Sequence, residues 1–119
     1  AIRERLPTDA FMEKTHFSCA AEQNCMRRID LLGRDQIILI GAEAHVCVLQ
    51  TALDLRAAGK EVYLVADGVS SRTPRDVELA LARMRAEGVR IVSREMVAFE
   101  WLHQADTETF RAISREFLR

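Results

Sequence analysis

Hydrophobic and polar positions along the chain predict strands that alternate with helices. Residues 36–41 (QIILIG) form a continuous apolar run, which is typical of a strand buried on both faces of a parallel sheet. Residues 61–66 (EVYLVA) and 89–92 predict a second and a third strand. Between these runs, over residues 46–58 and from Thr73 to Gly88, apolar residues recur at spacings of three and four, which predicts two amphipathic helices.

Local signals mark the ends of both predicted helices. Gly59 stands where a glycine commonly ends a helix, and Gly88 ends the second helix in the same way. Thr73, Pro74 and Asp76 form a strong start, because threonine caps a helix, proline suits its first position and an acid follows. The residues expected to be buried on these helices are Val48, Thr51, Ala52, Leu55, Val77, Ala80, Leu81 and Met84.

The two ends of the chain carry weaker patterns. We expect a short strand at residues 11–14 and a helix at about residues 20–32, ended by Gly33. The tail from Met96 onward is predicted to be helical, with a break near residues 106–108. Its large apolar side chains suit either packing on the sheet or contact with another subunit: Phe99, Trp101, Leu102, Phe110, Ile113 and Phe117.

The order of the elements defines the fold class. Two successive strand–helix–strand units imply right-handed crossovers and a parallel sheet, so we predict an α/β fold in one domain over residues 1–119. Three strands are few, because a sheet typically holds about five or six. Residues 36–41 are also too hydrophobic for an exposed sheet edge. We therefore expect another segment to lie beside this strand.

Composition and charge narrow the function classes. The 17 basic and 18 acidic residues give a formal charge of −1, which argues against a nucleic-acid or membrane-surface partner. The longest apolar run is far shorter than the roughly 20 residues that span a bilayer, and no signal peptide is evident. Three cysteines, an odd number, do not suggest a disulfide framework. We therefore expect a cytoplasmic protein.

The loops after the strands are the expected place for chemistry, because ligands of open parallel sheets bind beyond the carboxyl ends of the strands. Cys47 lies shortly after the first strand, in the first turn of the next helix. Free N–H groups and the helix dipole there favour an anionic thiolate and can hold the oxyanion formed when a carbonyl is attacked. Cys47 is therefore a candidate nucleophile. The alternative is a buried thiol that fills a small space in the core.

Other residues are weaker candidates. Lys14 has apolar neighbours that would partly enclose it beside a reacting group, although a solvated surface lysine is the commoner case. His45 suits a base, a substrate contact or a turn. Cys19 suits a pocket wall, and Cys25 suits a structural role within a helix. Asp67 suits a pocket or turn chemistry, and we favour the turn.

No spacing of histidines or cysteines matches a metal site, and the glycines form no phosphate-binding motif. We predict neither a metal nor another cofactor.

Three motifs resemble the isochorismatase-like cysteine hydrolase superfamily: residues 13–18 (EKTHFS), 41–55 (GAEAHVCVLQTALDL) and 65–72 (VADGVSSR). The resemblance covers nearly the whole chain from about residue 7. It implies a three-layer α/β/α fold around a parallel sheet of about six strands, a homo-oligomer and a small-molecule substrate. It further implies hydrolysis of an amide-type carbon–nitrogen bond through a thioester.

The resemblance also assigns residues. It implies a triad of cysteine, lysine and aspartate, in which Cys47 is the nucleophile and Lys14 the lysine. It places a cis peptide bond between Ala42 and Glu43, so that the N–H groups of Glu43 and Cys47 face the substrate oxygen. His45, Phe17 and Cys19 are the residues expected to contact the substrate.

The aspartate of the triad has no match in this sequence. In the family it ends a strand well upstream of the lysine, whereas Asp9 lies in a turn-like context and is a poor substitute. We therefore expect this chain to be the carboxyl-terminal two-thirds or so of a family member, with the amino-terminal strand or strands missing. Two alternatives stay open: a non-catalytic binding or assembly module, and a thiol redox or sulfur-transfer protein that uses Cys47 with Cys19.

Overall fold

The structure, a computed structural model, describes residues 1–118, so Arg119, the last residue of the predicted domain, lies outside the described residues. The sheet consists of three parallel strands in the order β1 (Gln36–Ala42), β2 (Glu61–Ser70) and β3 (Arg90–Val92). The α-helices are α1 (Ile2–Arg5), α2 (Gln23–Leu31), α3 (Leu49–Ala57), α4 (Pro74–Ala86), α5 (Arg94–Leu102) and α6 (Glu108–Phe117). Short 3₁₀ turns span Thr8–Ala10 and Cys19–Ala21, and a π-helical turn spans Ala44–Val48.

One face of the sheet carries the core. Alternate residues of the strands, such as Leu39 and Leu64, point towards α3 and α4, and Met26 and Ile29 of α2 pack at the margin. The helix stripes predicted from the sequence are confirmed, since Leu55 and Met84 are fully buried. The core is one cluster of buried residues: Ala44, Val48, Ala52, Leu55, Val62, Leu64, Ala80, Met84 and Val89.

The opposite face of the sheet is covered by α5. Ile38 and Tyr63 alternate with the core residues and lie with Val97 and Trp101 of α5 around one small cavity. α6 contacts α5 through the rings of Phe99 and Phe110, whose centroids are 6.1 Å apart. Helices therefore flank both faces of the parallel sheet, and the predicted three-layer α/β/α class is confirmed.

Two strand predictions are wrong in detail. Residues 11–14 are extended but pair with no strand among residues 1–118. The second strand continues to Ser70 instead of ending at Ala66, because its pairing with β1 skips from Leu39–Leu64 to Gly41–Val69. The three extra residues of β2 form a bulge that the hydrophobic pattern alone does not reveal.

β1 lies at one edge of the described sheet. Within residues 1–118 it pairs only with β2, and Ile38 and Ile40 are 38% and 66% exposed. The prediction that this strand is buried on both faces is therefore wrong for the described chain. The β-branched run has the composition of an interior strand, and composition does not distinguish an interior strand from an edge strand.

Candidate active site

Cys47 sits in the turn that joins β1 to α3. The peptide bond between Ala42 and Glu43 is cis, at the position that the family resemblance implies. The carbonyl oxygen of Glu43 then accepts the N–H groups of Val46 and Val48, each at 3.2 Å, and this closes the turn. Ala44 and Val48 are buried in the core, whereas Cys47 is a half-buried free thiol. The turn is thus anchored by its apolar residues and leaves the sulfur accessible.

Lys14 lies beside this sulfur. Its Nζ is 3.5 Å from Sγ of Cys47 and donates to the carbonyl oxygens of His16 and Phe17, each at 3.0 Å. The residue is exposed, so the expectation that Phe11, Met12 and Phe17 enclose it is wrong. An ammonium this close to a sulfur stabilises negative charge on it.

The turn that carries Lys14 is held by Glu22, a residue that the sequence interpretation missed. One carboxylate oxygen of Glu22 accepts the N–H of Thr15 at 2.8 Å, the N–H of His16 at 3.0 Å and lies 2.9 Å from Nδ1 of His16. These hydrogen bonds, those from His16 first, lower the pKa of Glu22 from 4.5 to about 2. The one available signal was an acid near the start of the helix predicted at about residues 20–32, but this side chain bonds to the preceding turn and not to its own helix.

Backbone N–H groups surround the thiol. Those of Val46 and Val48 are donated to Glu43, and that of His45 to Oγ of Ser71 at 3.3 Å. Among the loop, turn and side-chain hydrogen bonds of residues 1–118, none uses the N–H of Glu43, which belongs to the cis peptide bond. The N–H of Cys47 lies within the π-helical turn Ala44–Val48.

His45 belongs to a separate polar cluster. Its Nδ1 lies 2.9 Å from Oγ of Ser71, and its Nε2 lies 3.6 Å from Glu43 and 4.0 Å from Asp76. Arg72 donates through Nε to both carboxylate oxygens of Glu43, at 3.0 and 3.1 Å, and this raises its pKa. The structure thus joins His45 to Ser71, which follows β2. The turn predicted at Asp67 is wrong, because this residue lies within the lengthened strand β2.

The cysteine predictions need a correction. Cys19 and Cys25 form a disulfide, which links the 3₁₀ turn to α2 and leaves Cys47 as the free thiol. The odd number of cysteines did not exclude one bridge, because two of three cysteines can pair wherever the fold brings them together, and the Cα atoms of Cys19 and Cys25 lie 6.2 Å apart. The number of cysteines therefore does not indicate a reducing compartment. The sulfur of Cys19 is also no longer free to form a pair with Cys47.

The remaining predicted contacts are spread over the surface. Phe17 is 59% exposed, and its carbonyl oxygen is committed to Lys14. Asp9 pairs with Arg28 at 3.7 Å and does not reach the thiol. Asp67 accepts the N–H of Arg94 at 2.8 Å and so fixes the start of α5. No cluster of side chains suited to a metal ion, and no helix long and apolar enough to cross a membrane, occurs within residues 1–118.

The fold and the site together define a class: an α/β protein with a thiol and a lysine side by side at the carboxyl edge of a parallel sheet. The sequence model of the isochorismatase domain matches residues 2–96. The chain belongs to the isochorismatase-like hydrolase family.

Known proteins of this family match the chain over part of their length. The secreted isochorismatase effector Isc1 of Phytophthora sojae is 43% identical over 82 residues, which are 69% of this chain and 39% of that protein. A solved structure described as the MAR1 ribonuclease of Caenorhabditis elegans is 33% identical, with a TM-score of 0.77 over 89% of this chain and 54% of that one. The nicotinamidase PncA of Bacillus subtilis is 26% identical, with a TM-score of 0.66 over 69% and 46%. The chain thus spans about half the length of these relatives, or less.

Proposed function

We propose that the whole protein hydrolyses an amide-type carbon–nitrogen bond of a small molecule, with Cys47 as the nucleophile. The observation that carries this proposal is the 3.5 Å contact between Nζ of Lys14 and Sγ of Cys47, in a turn that follows a parallel strand. The ammonium of Lys14 stabilises negative charge on the sulfur as it attacks a carbonyl carbon.

The proposed reaction has two steps. A carboxylate accepts the thiol proton, the thiolate attacks the amide carbon, and the N–H groups of Glu43 and Cys47 hold the oxyanion. The carbon–nitrogen bond then breaks, the nitrogen takes the proton and leaves as an amine, and a thioester remains on Cys47. Water cleaves the thioester to a carboxylic acid and restores the thiol.

The scheme needs a proton acceptor, and none of the residues described so far fills that role. Within residues 1–118, Lys14 forms no ion pair with a carboxylate. We propose that the family's aspartate, from a segment upstream of Lys14, lies between this lysine and the thiol. Lys14 then keeps that aspartate ionised, because a nearby opposite charge stabilises a carboxylate.

Several observations support a small amide as the substrate. The Bacillus subtilis relative is named a nicotinamidase. The Caenorhabditis elegans relative is described as a ribonuclease, but the formal charge of −1 on this chain is unsuited to a polyanionic substrate. His45 and Phe17 remain our proposed substrate contacts, and the cytoplasmic location remains a prediction.

A non-catalytic binding or assembly module is the second candidate, and the lack of a carboxylate partner for Lys14 in the described residues favours it. A redox function that uses Cys47 with Cys19 is disfavoured, because Cys19 is bonded to Cys25.

The test is release of amine or ammonia from a panel of small amides by the full-length protein. We expect Cys47→Ala to abolish turnover while the fold, followed by circular dichroism, is unchanged. Val46→Ala, in the same turn, is the matched control and should retain activity. Normal turnover by Cys47→Ala would contradict the mechanism, and a wild-type protein that turns over no amide would favour the binding module.

A further inference from the structure

We propose that Glu22 is a positioning residue that holds the ammonium of Lys14 against the sulfur of Cys47. The inference deepens the proposed function and rests on it, since it concerns the same thiol–lysine pair. Glu22 itself touches neither group, and it acts through the turn that carries Lys14.

The position of Lys14 needs an explanation, because its side chain is exposed and the rotamer entropy of a long flexible side chain opposes any fixed position. Two of its three hydrogen-bond acceptors, the carbonyl oxygens of His16 and Phe17, belong to the same turn as Lys14. The direction of the ammonium is therefore set by the shape and placement of this turn.

The turn is attached to the rest of the protein through Glu22. The carboxylate of Glu22 accepts the backbone N–H groups of Thr15 and His16 and contacts the ring of His16. Glu22 immediately precedes α2, and α2 is fixed by the buried Cys25 and by Met26, which packs against the core. Glu22 thus connects a surface turn to a helix that cannot move without disturbing the core.

Glu22 is unsuited to the alternative role of a proton acceptor for the thiol. Its oxygen is already occupied by the donors of Thr15 and His16, and these hydrogen bonds stabilise the ionised form. A carboxylate held so firmly in its charged form is a poor base. Its geometry fits an anchor.

The test is a double-mutant cycle read by the rate at which iodoacetamide alkylates Cys47 near neutral pH. We expect Glu22→Ala to slow alkylation about tenfold, and Lys14→Met to slow it by at least as much. In the Lys14→Met background, Glu22→Ala should have no further effect, because the anchored group is gone. Glu13→Gln, which changes an exposed acid beside Lys14, is the matched control and should leave the rate unchanged.

Two outcomes would overturn the proposal: an unchanged alkylation rate in Glu22→Ala, or an equal slowing in the presence and absence of Lys14. If Glu22→Ala does not fold, Glu22→Leu takes its place in the cycle, since leucine fills similar space but cannot accept the N–H groups of Thr15 and His16. Alkylation does not require turnover. If the double-mutant cycle gives the expected rates but the protein hydrolyses no amide, the proposed function is refuted and the positioning role of Glu22 is still supported.

Discussion

Lys14 illustrates how single residues create this site. Nothing around it in sequence fixes an exposed lysine, yet three acceptors and a remote carboxylate determine where its charge lies. The sequence identified Lys14 and Cys47 through a family motif, and the structure brings both to one place. The role of Glu22 could not be predicted from the sequence. It depends on hydrogen bonds to backbone N–H groups of another segment, and every residue type except proline has such a group.

Glu22 also makes the stability of the site depend on pH. The pKa of this carboxyl is lowered from 4.5 to about 2 in the folded chain, so its charged form stabilises the fold above the unfolded value. That contribution is present above about pH 4.5 and is lost as the pH falls towards about 2. We expect wild type to melt at a higher temperature than Glu22→Gln at about pH 6, and the difference to shrink at about pH 2.5.

Thermal unfolding followed by circular dichroism measures this difference. Glu13→Gln is the control and should follow the wild-type curve at both pH values. A gap between wild type and Glu22→Gln that is constant with pH, or that widens in acid, would show that the charge of Glu22 does not stabilise the fold.

At the scale of helices and strands, the sequence predicted the features that follow from the spacing of hydrophobic residues and from local capping signals. The burial of Leu55 and Met84 followed from helical spacing, and the side chain of Thr73 accepts the N–H of Asp76 as the capping signal indicates. The bulge in β2 and the π-helical turn before α3 were not predicted, because both depend on contacts between segments far apart in sequence. These two irregular elements are also the ones that bring Ser71 and Cys47 to the edge of the sheet.

Helices α5 and α6 expose large aromatic side chains, which bears on whether the chain forms oligomers. Trp101, Phe99 and Phe117 are 75%, 46% and 57% exposed, and aromatic side chains are enriched in subunit interfaces. We propose that these helices contact a second copy of the chain. Light scattering after size-exclusion chromatography should give a mass above that of the monomer, and Trp101→Glu should lower it. Leu79→Glu, at an apolar residue of α4 that is 50% exposed, should not. A wild-type monomer would contradict this prediction.

At the scale of the whole molecule, the chain spans about half the length of its relatives, or less. The thiol of Cys47 and the ammonium of Lys14 lie together at one edge of the sheet, and within residues 1–118 Lys14 forms no ion pair with a carboxylate. The exposed flank of β1, including Ile40, lies next to this region in sequence. The hydrophobicity of the strand predicts a further segment beside it, and we propose that this segment carries the family's aspartate.

The central claim is that Lys14 makes the thiol of Cys47 reactive, and the two lysines of this chain allow a matched test. Lys60 pairs with Asp30 at 3.2 Å and precedes β2, at the opposite edge of the sheet from Cys47. The measurement is the rate of iodoacetamide labelling of Cys47 in Lys14→Met and Lys60→Met at about pH 7, followed by peptide mapping. We expect Lys14→Met to slow labelling about tenfold and Lys60→Met to leave the rate at the wild-type value. Equal labelling rates in the two variants would contradict the account.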